Sequence, residues 1–257
     1  MTSRVHSFLP SVAALLLSLA ATGAMAGTVT VSAAASLTDA FKDIAKVYEA
    51  ANPGDKVELN FGGSGTLFQQ IDKGAPVDVF ASADEKTMDK AAKGGLVVDG
   101  TRLTFVKNTL VLIQPSAGTA KLDSLDALRG DDVKHIAVGN PSSVPVGSYT
   151  QAALKAAGQW DALQPKVILT QNVRQSLDYV ARAEVEAGFV YGSDAALMKD
   201  KVKVSYTVPV QTPVTYPIAV MKNGSNEAAA RRFIETVTSR EGQAILERYG
   251  FVPAVAQ

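Results

Sequence analysis

Two rhythms of apolar and polar positions take turns along this chain. From Thr28 a β-branched run reaches Ala33, Ala34, Ala35 and Ser36, and then Leu37, Ala40, Phe41, Ile44, Ala45 and Tyr48 recur every third or fourth position, one face of a helix. Ser36 followed by Asp39 has the form of a capping box. The pattern therefore predicts a serine hydroxyl and unpaired backbone N–H groups together at the positive end of a helix dipole, an arrangement suited to anions. Asn52-Pro53-Gly54 ends the helix, and Val57, Leu59 and Phe61 alternate as a strand. Gly62-Gly63-Ser64-Gly65-Thr66 then breaks the pattern before a short helix through Leu67, Phe68 and Ile71. Ser64 thus repeats the placement of Ser36, after a strand and at a helix start, and its glycines let backbone approach a ligand closely.

The alternation continues with a strand over Val77 to Ala81 and a second capping-box pattern, Ser82 to Glu85, opening a helix to about Lys93. Asp78, an acid in that strand, reads as structural, satisfied by backbone N–H groups. Two strand-like runs between Leu103 and Pro115 interrupt the βα order, and the second, Thr109 to Gln114, reads as a crossing into another lobe. A short helix is expected over Asp123 to Leu128.

The order then restarts with a strand over His135 to Gly139. A loop from Asn140 to Gly147 opens a helix through Tyr149, Ala153, Leu154 and Ala157, and Pro145 removes one donor there, so the N–H groups of Val146 and Gly147 are the first free ones. Lys166 to Leu169 is a further strand; Asn172 is a cap residue with Gln175 three positions on, so Val173 opens the next helix. Ala187 to Tyr191 reads as a buried strand that ends in Gly192-Ser193-Asp194. Lys201 to Val208 is strand-like, Tyr216 to Met221 is the return crossing, and two helices follow from Asn226 and Ser239. The expected fold class is α/β and two-lobed: each lobe is a mostly parallel sheet flanked by helices, with residues 27–108 and 217–257 in one lobe and 109–216 in the other.

Composition narrows the picture. Residues 1–26 carry Arg4, a leucine-rich apolar run and small residues at Ala24 and Ala26, the form of a secretory signal peptide. The expected location is the periplasm. Twenty-five basic residues balance 25 acidic ones, so neither a nucleic-acid surface nor a polybasic membrane patch is expected. Cysteine is absent, which excludes disulfides, thiolate metal sites and cysteine nucleophiles.

Open α/β sheets bind ligands at the carboxyl ends of their strands. Ser36, Ser64, Val146, Val173 and Tyr191 all fall at such ends. They offer hydroxyl and backbone donors and few acceptors, which suits a fully deprotonated tetrahedral anion. Each charge-assisted hydrogen bond contributes about 1.5–3 kcal/mol, so six or seven, with helix dipoles, offset dehydration of a dianion without a lysine or arginine. Arg174 reads as a solvated first-turn residue. A serine hydrolase would need a base, and beyond the leader there is a single histidine, His135, at a strand start. Gly62-Gly63-Ser64-Gly65-Thr66 lacks the last glycine of the G-x-S-x-G elbow. Asp39, Asp78, Asp84 and Asp194 each read as cap or turn acids.

The segments SAAASLTDAF, GGSGTL, APVDVFASAD, NPSSVPVGSY, NVRQSLDYVARAEVEAGFVYGSDA and EGQAILERYGF closely resemble the periplasmic molybdate-binding proteins of ABC importers, over nearly the whole chain beyond the leader. That resemblance implies a type II periplasmic binding protein that holds molybdate or tungstate between its lobes, needs no cofactor, acts as a monomer and hands its ligand to a membrane permease. It implies donation from the hydroxyls and N–H groups of Ser36 and Ser64, the N–H groups of Val146 and Val173, and the phenol of Tyr191. Two positions depart from the family: alanine is frequent where Val146 stands, and serines surround the position of Ser64 where this chain has glycines. A sulfate-type receptor is the alternative within the same class.

Overall fold

Each βα alternation in the sequence becomes a strand with a helix packed on it. The computed structural model describes residues 27–254. The first lobe starts with β1 (Thr28–Ala34), α1 (Thr38–Ala51), β2 (Lys56–Gly62), α2 (Ser64–Asp72), β3 (Val79–Ala81), α3 (Glu85–Lys93) and β4 (Leu103–Asn108). The chain crosses at Thr109 into β5 (Leu110–Pro115), β6 (Ile136–Gly139), α4 (Pro145–Ala156), α5 (Trp160–Leu163), β7 (Val167–Thr170), α6 (Val173–Ala181), β8 (Ala187–Tyr191), α7 (Gly192–Leu197) and β9 (Val202–Thr207). It returns through β10 (Val214–Val220) and closes with α8 (Glu227–Thr238), α9 (Arg240–Arg248) and β11 (Val252–Pro253).

Two sheets result, ordered β11-β4-β10-β3-β1-β2 and β7-β6-β8-β5-β9. In the first, β1 runs parallel to β2 and β3; in the second, β6 runs parallel to β7 and β8. These are the βα units of the sequence. The crossing strands β4, β5 and β10 pair antiparallel, so both sheets are mixed. Pro217 lies in β10, between β3 and β4, and a proline there would break a regular ladder. The register shifts at Tyr216/Pro217, and the Pro217 carbonyl still accepts from the Ser82 N–H at 2.9 Å.

The apolar stripe of α1 is buried as its spacing requires, with Phe41, Ile44 and Tyr48 fully enclosed. Phe41 and Tyr48 meet Phe233 of α8 edge to face, at centroid distances of 5.9 and 5.7 Å. Removing a phenyl from such a cluster costs about 3–5 kcal/mol. Asp78 is structural as expected: its carboxylate accepts the N–H groups of Thr30 and Asn226, both at 2.8 Å.

Three local expectations differ. Ser36 lies in a 3-10 turn, Ala35–Leu37, ahead of α1, and its side chain caps nothing. That turn and the burial of Ser36 turn its hydroxyl away from the first turn of α1. The second capping box is closed by Asp84, whose carboxylate accepts from Thr87 N–H at 2.8 Å, because Ser82 stops short of the helix start. The short helix expected at 123–128 is a 3-10 turn, Asp126–Arg129, anchored by Leu128. The leader, residues 1–26, lies outside the described residues. Among the described residues no helix is long and apolar enough to cross a membrane.

Candidate functional site

All five residues predicted at strand ends meet in one cleft between the lobes. Ala34, Ala35, Ser36, Gly62, Gly63, Ser64 and Ala83 line it from one side; Val144, Pro145, Val146, Val173 and Tyr191 line it from the other. None of these lining residues carries a charge. The empty volume is about 200 Å³, part of it open to solvent. The enclosed cavity volume is only about 10 Å³, against about 300 to 1,000 Å³ for pockets that take organic ligands, so this one suits a small ion.

Helix starts supply the backbone donors. The first N–H groups of a helix have no intrahelical acceptor. In α4 the N–H groups of Gly147 and Ser148 bond the Val144 carbonyl, at 3.0 and 3.1 Å, and Pro145 has no N–H, so Val146 presents the free amide. In α6 Asn172 caps Gln175 N–H at 3.0 Å, which leaves the amide of Val173, the first helical residue and part of the cleft lining, without an intrahelical acceptor. Ser64 is the first residue of α2 and is fully buried.

The hydroxyls are oriented by what they accept. Ser64 Oγ accepts the N–H of Ala83 at 3.0 Å, so its own proton remains to be given. Ser36 Oγ lies 3.0 Å from the phenol of Tyr216. Tyr191 is 1 % exposed, and its phenol oxygen has no hydrogen-bond partner among the described residues. A buried unpaired hydroxyl costs about 1–3 kcal/mol, which makes this phenol a candidate donor to a ligand. Burial also pushes the Tyr191 phenol well above its ordinary range, so it stays a donor.

Arg174 is not a solvated residue. Its guanidinium donates to Asp194 at 2.6 Å, to Asp39 at 2.7 Å and to the Ser36 carbonyl at 3.1 Å. Asp39 stands on α1 and Arg174 on α6, so the pair ties the two lobes together. Asp194, read from sequence as a turn acid, is fully buried, and burial pushes its carboxyl up to about 6 against the opposing pull of Arg174. The nearby cation is thereby neutralised by two carboxylates. His135 is half exposed at the start of β6, the end away from α4, and cannot serve as a base for either serine.

Sequence reasoning missed Tyr216, Asn108 and the Arg174 cluster. The hydrophobic pattern marks Tyr216 as strand, and no local signal couples it to Ser36, 180 positions away.

Two lobes of mixed α/β sheet, crossed by two connections and closed over a small, donor-lined cleft, define a periplasmic-type solute-binding protein. The chain belongs to the family of bacterial extracellular solute-binding proteins, whose model matches residues 29–252. The molybdate-binding protein ModA of Escherichia coli (strain K12) is 40% identical over 234 residues, 88% of this chain and 89% of that protein. Its counterpart in Haemophilus influenzae is 36% identical, across 94% of this chain and 96% of that protein. Among solved structures, the periplasmic molybdate-binding protein of Azotobacter vinelandii superposes with a TM-score of 0.77 at 25% identity, covering 89% of this chain and 100% of that one. These relatives are binding proteins, and this chain is a binding protein and not an enzyme.

Proposed function

We propose that this chain is a periplasmic receptor for molybdate and tungstate that closes over the oxyanion and presents it to the permease of an ABC importer. The observation that carries the reading is the cleft itself: three hydroxyls and two free helix-start amides, with no charged side chain among the residues that line it. Ser36, Ser64 and Tyr191 donate through hydroxyls, Val146 and Val173 through N–H, and the serines add their main-chain amides. The relatives named molybdate-binding at 40% and 36% identity support the choice of ion. Molybdenum enters only as part of the bound oxyanion, and no cofactor is required. The lobes are taken as 27–108 with 217–257, and 109–216; the separate sheets support two lobes, but β10 pairs with β4 from Val214 on, so the return boundary falls before Val214 and not at 217. The receptor acts as a monomer, exported by its leader.

A sulfate receptor is the second reading, because a donor-only cleft also suits sulfate. Ligand size separates the two: sulfate is too small to reach every donor at once, and hydrogen phosphate would turn its proton toward another donor. Calorimetric titration with molybdate, tungstate, sulfate and phosphate tests this. Tight binding of the first two with weak binding of the others is expected; preference for sulfate or phosphate overturns the reading.

A further inference from the structure

Ser36 is held by a chain of hydrogen bonds that begins at the crossing between the lobes. The side-chain oxygen of Asn108 faces the N–H groups of Thr109 and Ser193, at 2.9 and 3.4 Å. Those groups can only donate, which fixes the other end of the amide as NH₂. That NH₂ donates to Ser193 Oγ at 2.8 Å and to the Tyr216 phenol at 3.4 Å. Ser36 Oγ and the phenol lie 3.0 Å apart and either oxygen could donate. With the Asn108 NH₂ already donating to the phenol, the direction in which the chain runs on has Tyr216 give its proton to Ser36 Oγ. Ser36 Oγ then accepts, and its own proton is left for the cleft. Ser64 reaches the same state through the fixed N–H of Ala83. A hydroxyl free to rotate could accept from a protonated anion; one already accepting has a single lone pair left, and turning that toward a protonated anion would aim its own proton away from the cleft.

We propose that Tyr216, oriented by Asn108, is a specificity-determining positioning residue: it forces the Ser36 hydroxyl to act as a donor and so selects fully deprotonated oxyanions over protonated ones. This rests on the oxyanion reading of the cleft. Tyr216 does not line the cleft; it acts through Ser36. Its ring is enclosed edge to face by Tyr191 at 5.7 Å and Phe251 at 5.4 Å, so Tyr216→Phe keeps the packing and removes the relay alone.

The test is a double-mutant cycle on the full chain, with Ser36→Ala, Tyr216→Phe and both together, read by molybdate calorimetry. Tyr216→Phe is expected to weaken molybdate binding about tenfold in the wild-type background and not at all in the Ser36→Ala background. Displacement of molybdate by sulfate and by hydrogen phosphate, dianions of similar size that differ by a proton, gives the second readout. The advantage of sulfate over hydrogen phosphate should shrink in Tyr216→Phe. Asn108→Ala, at a half-buried site, should shrink it in the same direction without touching the aromatic core. Additive losses, or an unchanged sulfate-to-phosphate ratio in both relay variants, overturn the relay alone. Failure of the wild-type chain to bind molybdate, sulfate or hydrogen phosphate overturns the oxyanion reading, and the relay with it.

Discussion

The amide of Gly65, at the start of α2, donates to the carbonyl of Ser143 at 2.9 Å, a backbone bond that runs from one lobe to the other. A methyl at Gly65 would stand 2.7 Å from that carbonyl oxygen and 2.9 Å from the Ser143 Cα. One at Gly63 would meet the Gln171 carbonyl oxygen at 2.9 Å. Glycines flank Ser64 because the opposite lobe's backbone occupies the space a side chain would need. Gly65→Ala should therefore obstruct closure while leaving the separate lobes intact. Molybdate affinity is expected to fall at least tenfold, with the unliganded melting temperature unchanged or slightly higher, since alanine suits a helix better by about 0.5–1 kcal/mol. Calorimetry and a thermal melt check both; unchanged affinity would show that the lobes close without this contact.

Tyr191 gives the opposite kind of variant. Its phenol is buried without a partner among the described residues, so Tyr191→Phe removes a donor from the liganded form and no intramolecular hydrogen bond. Oxyanion affinity should drop about 10- to 100-fold, as one charge-assisted bond of 1.5–3 kcal/mol is lost. The unliganded melting temperature should hold or rise. A fall in stability with affinity intact would make the phenol structural.

Arg174 and Asp194 form a buried ion pair, and breaking one from a single side strands the other charge. Arg174→Gln is expected to cost about 3–5 kcal/mol in denaturant unfolding. The double variant Arg174→Gln/Asp194→Asn should recover most of that loss, because the one carboxylate left without Arg174, Asp39, is partly exposed and solvated. Equal losses in the single and double variants would place the energy in packing and not in charge.

The same carboxyl sets a pH signature. Its folded value, raised to about 6 from the ordinary 3.8, means that the folded chain keeps a proton the unfolded chain has lost between those limits. The stability from this group is therefore greatest at the acid end of that window and declines as pH rises through 6, by at most about 3 kcal/mol. Measured at pH 7 and at pH 4.5, wild type should gain on Asp194→Asn upon acidification. Movement the other way would mean that Arg174 holds the carboxyl below its ordinary value.

Much of this site was legible in the chain because its donors are products of local patterning. Strand-to-helix turns at Ser64, Val146 and Val173 follow from glycine, proline and cap residues within a few positions of each, and Tyr191 ends a buried apolar run. The sequence accounts for Ser36 only in part: its place after β1 and in the cleft lining holds, but its hydroxyl turns to Tyr216 and not to the helix behind it. What stayed hidden is non-local. Asp39 and Arg174 stand 135 positions apart and face each other only because two lobes close, and no periodicity records that encounter. The mixed pairing of the sheets escaped for a similar reason, since strand direction at the crossings depends on which neighbour each finds.

Thr109 alone separates β4 of one sheet from β5 of the other, and its carbonyl is tied to the N–H of Gly192. A tether one residue long cannot let two bodies slide apart; it permits only a swing about itself. Donors carried on α2, α4 and α6 would sweep outward together as the jaws part, whereas the Asn108 and Tyr216 end of the relay, close to the pivot, would scarcely travel.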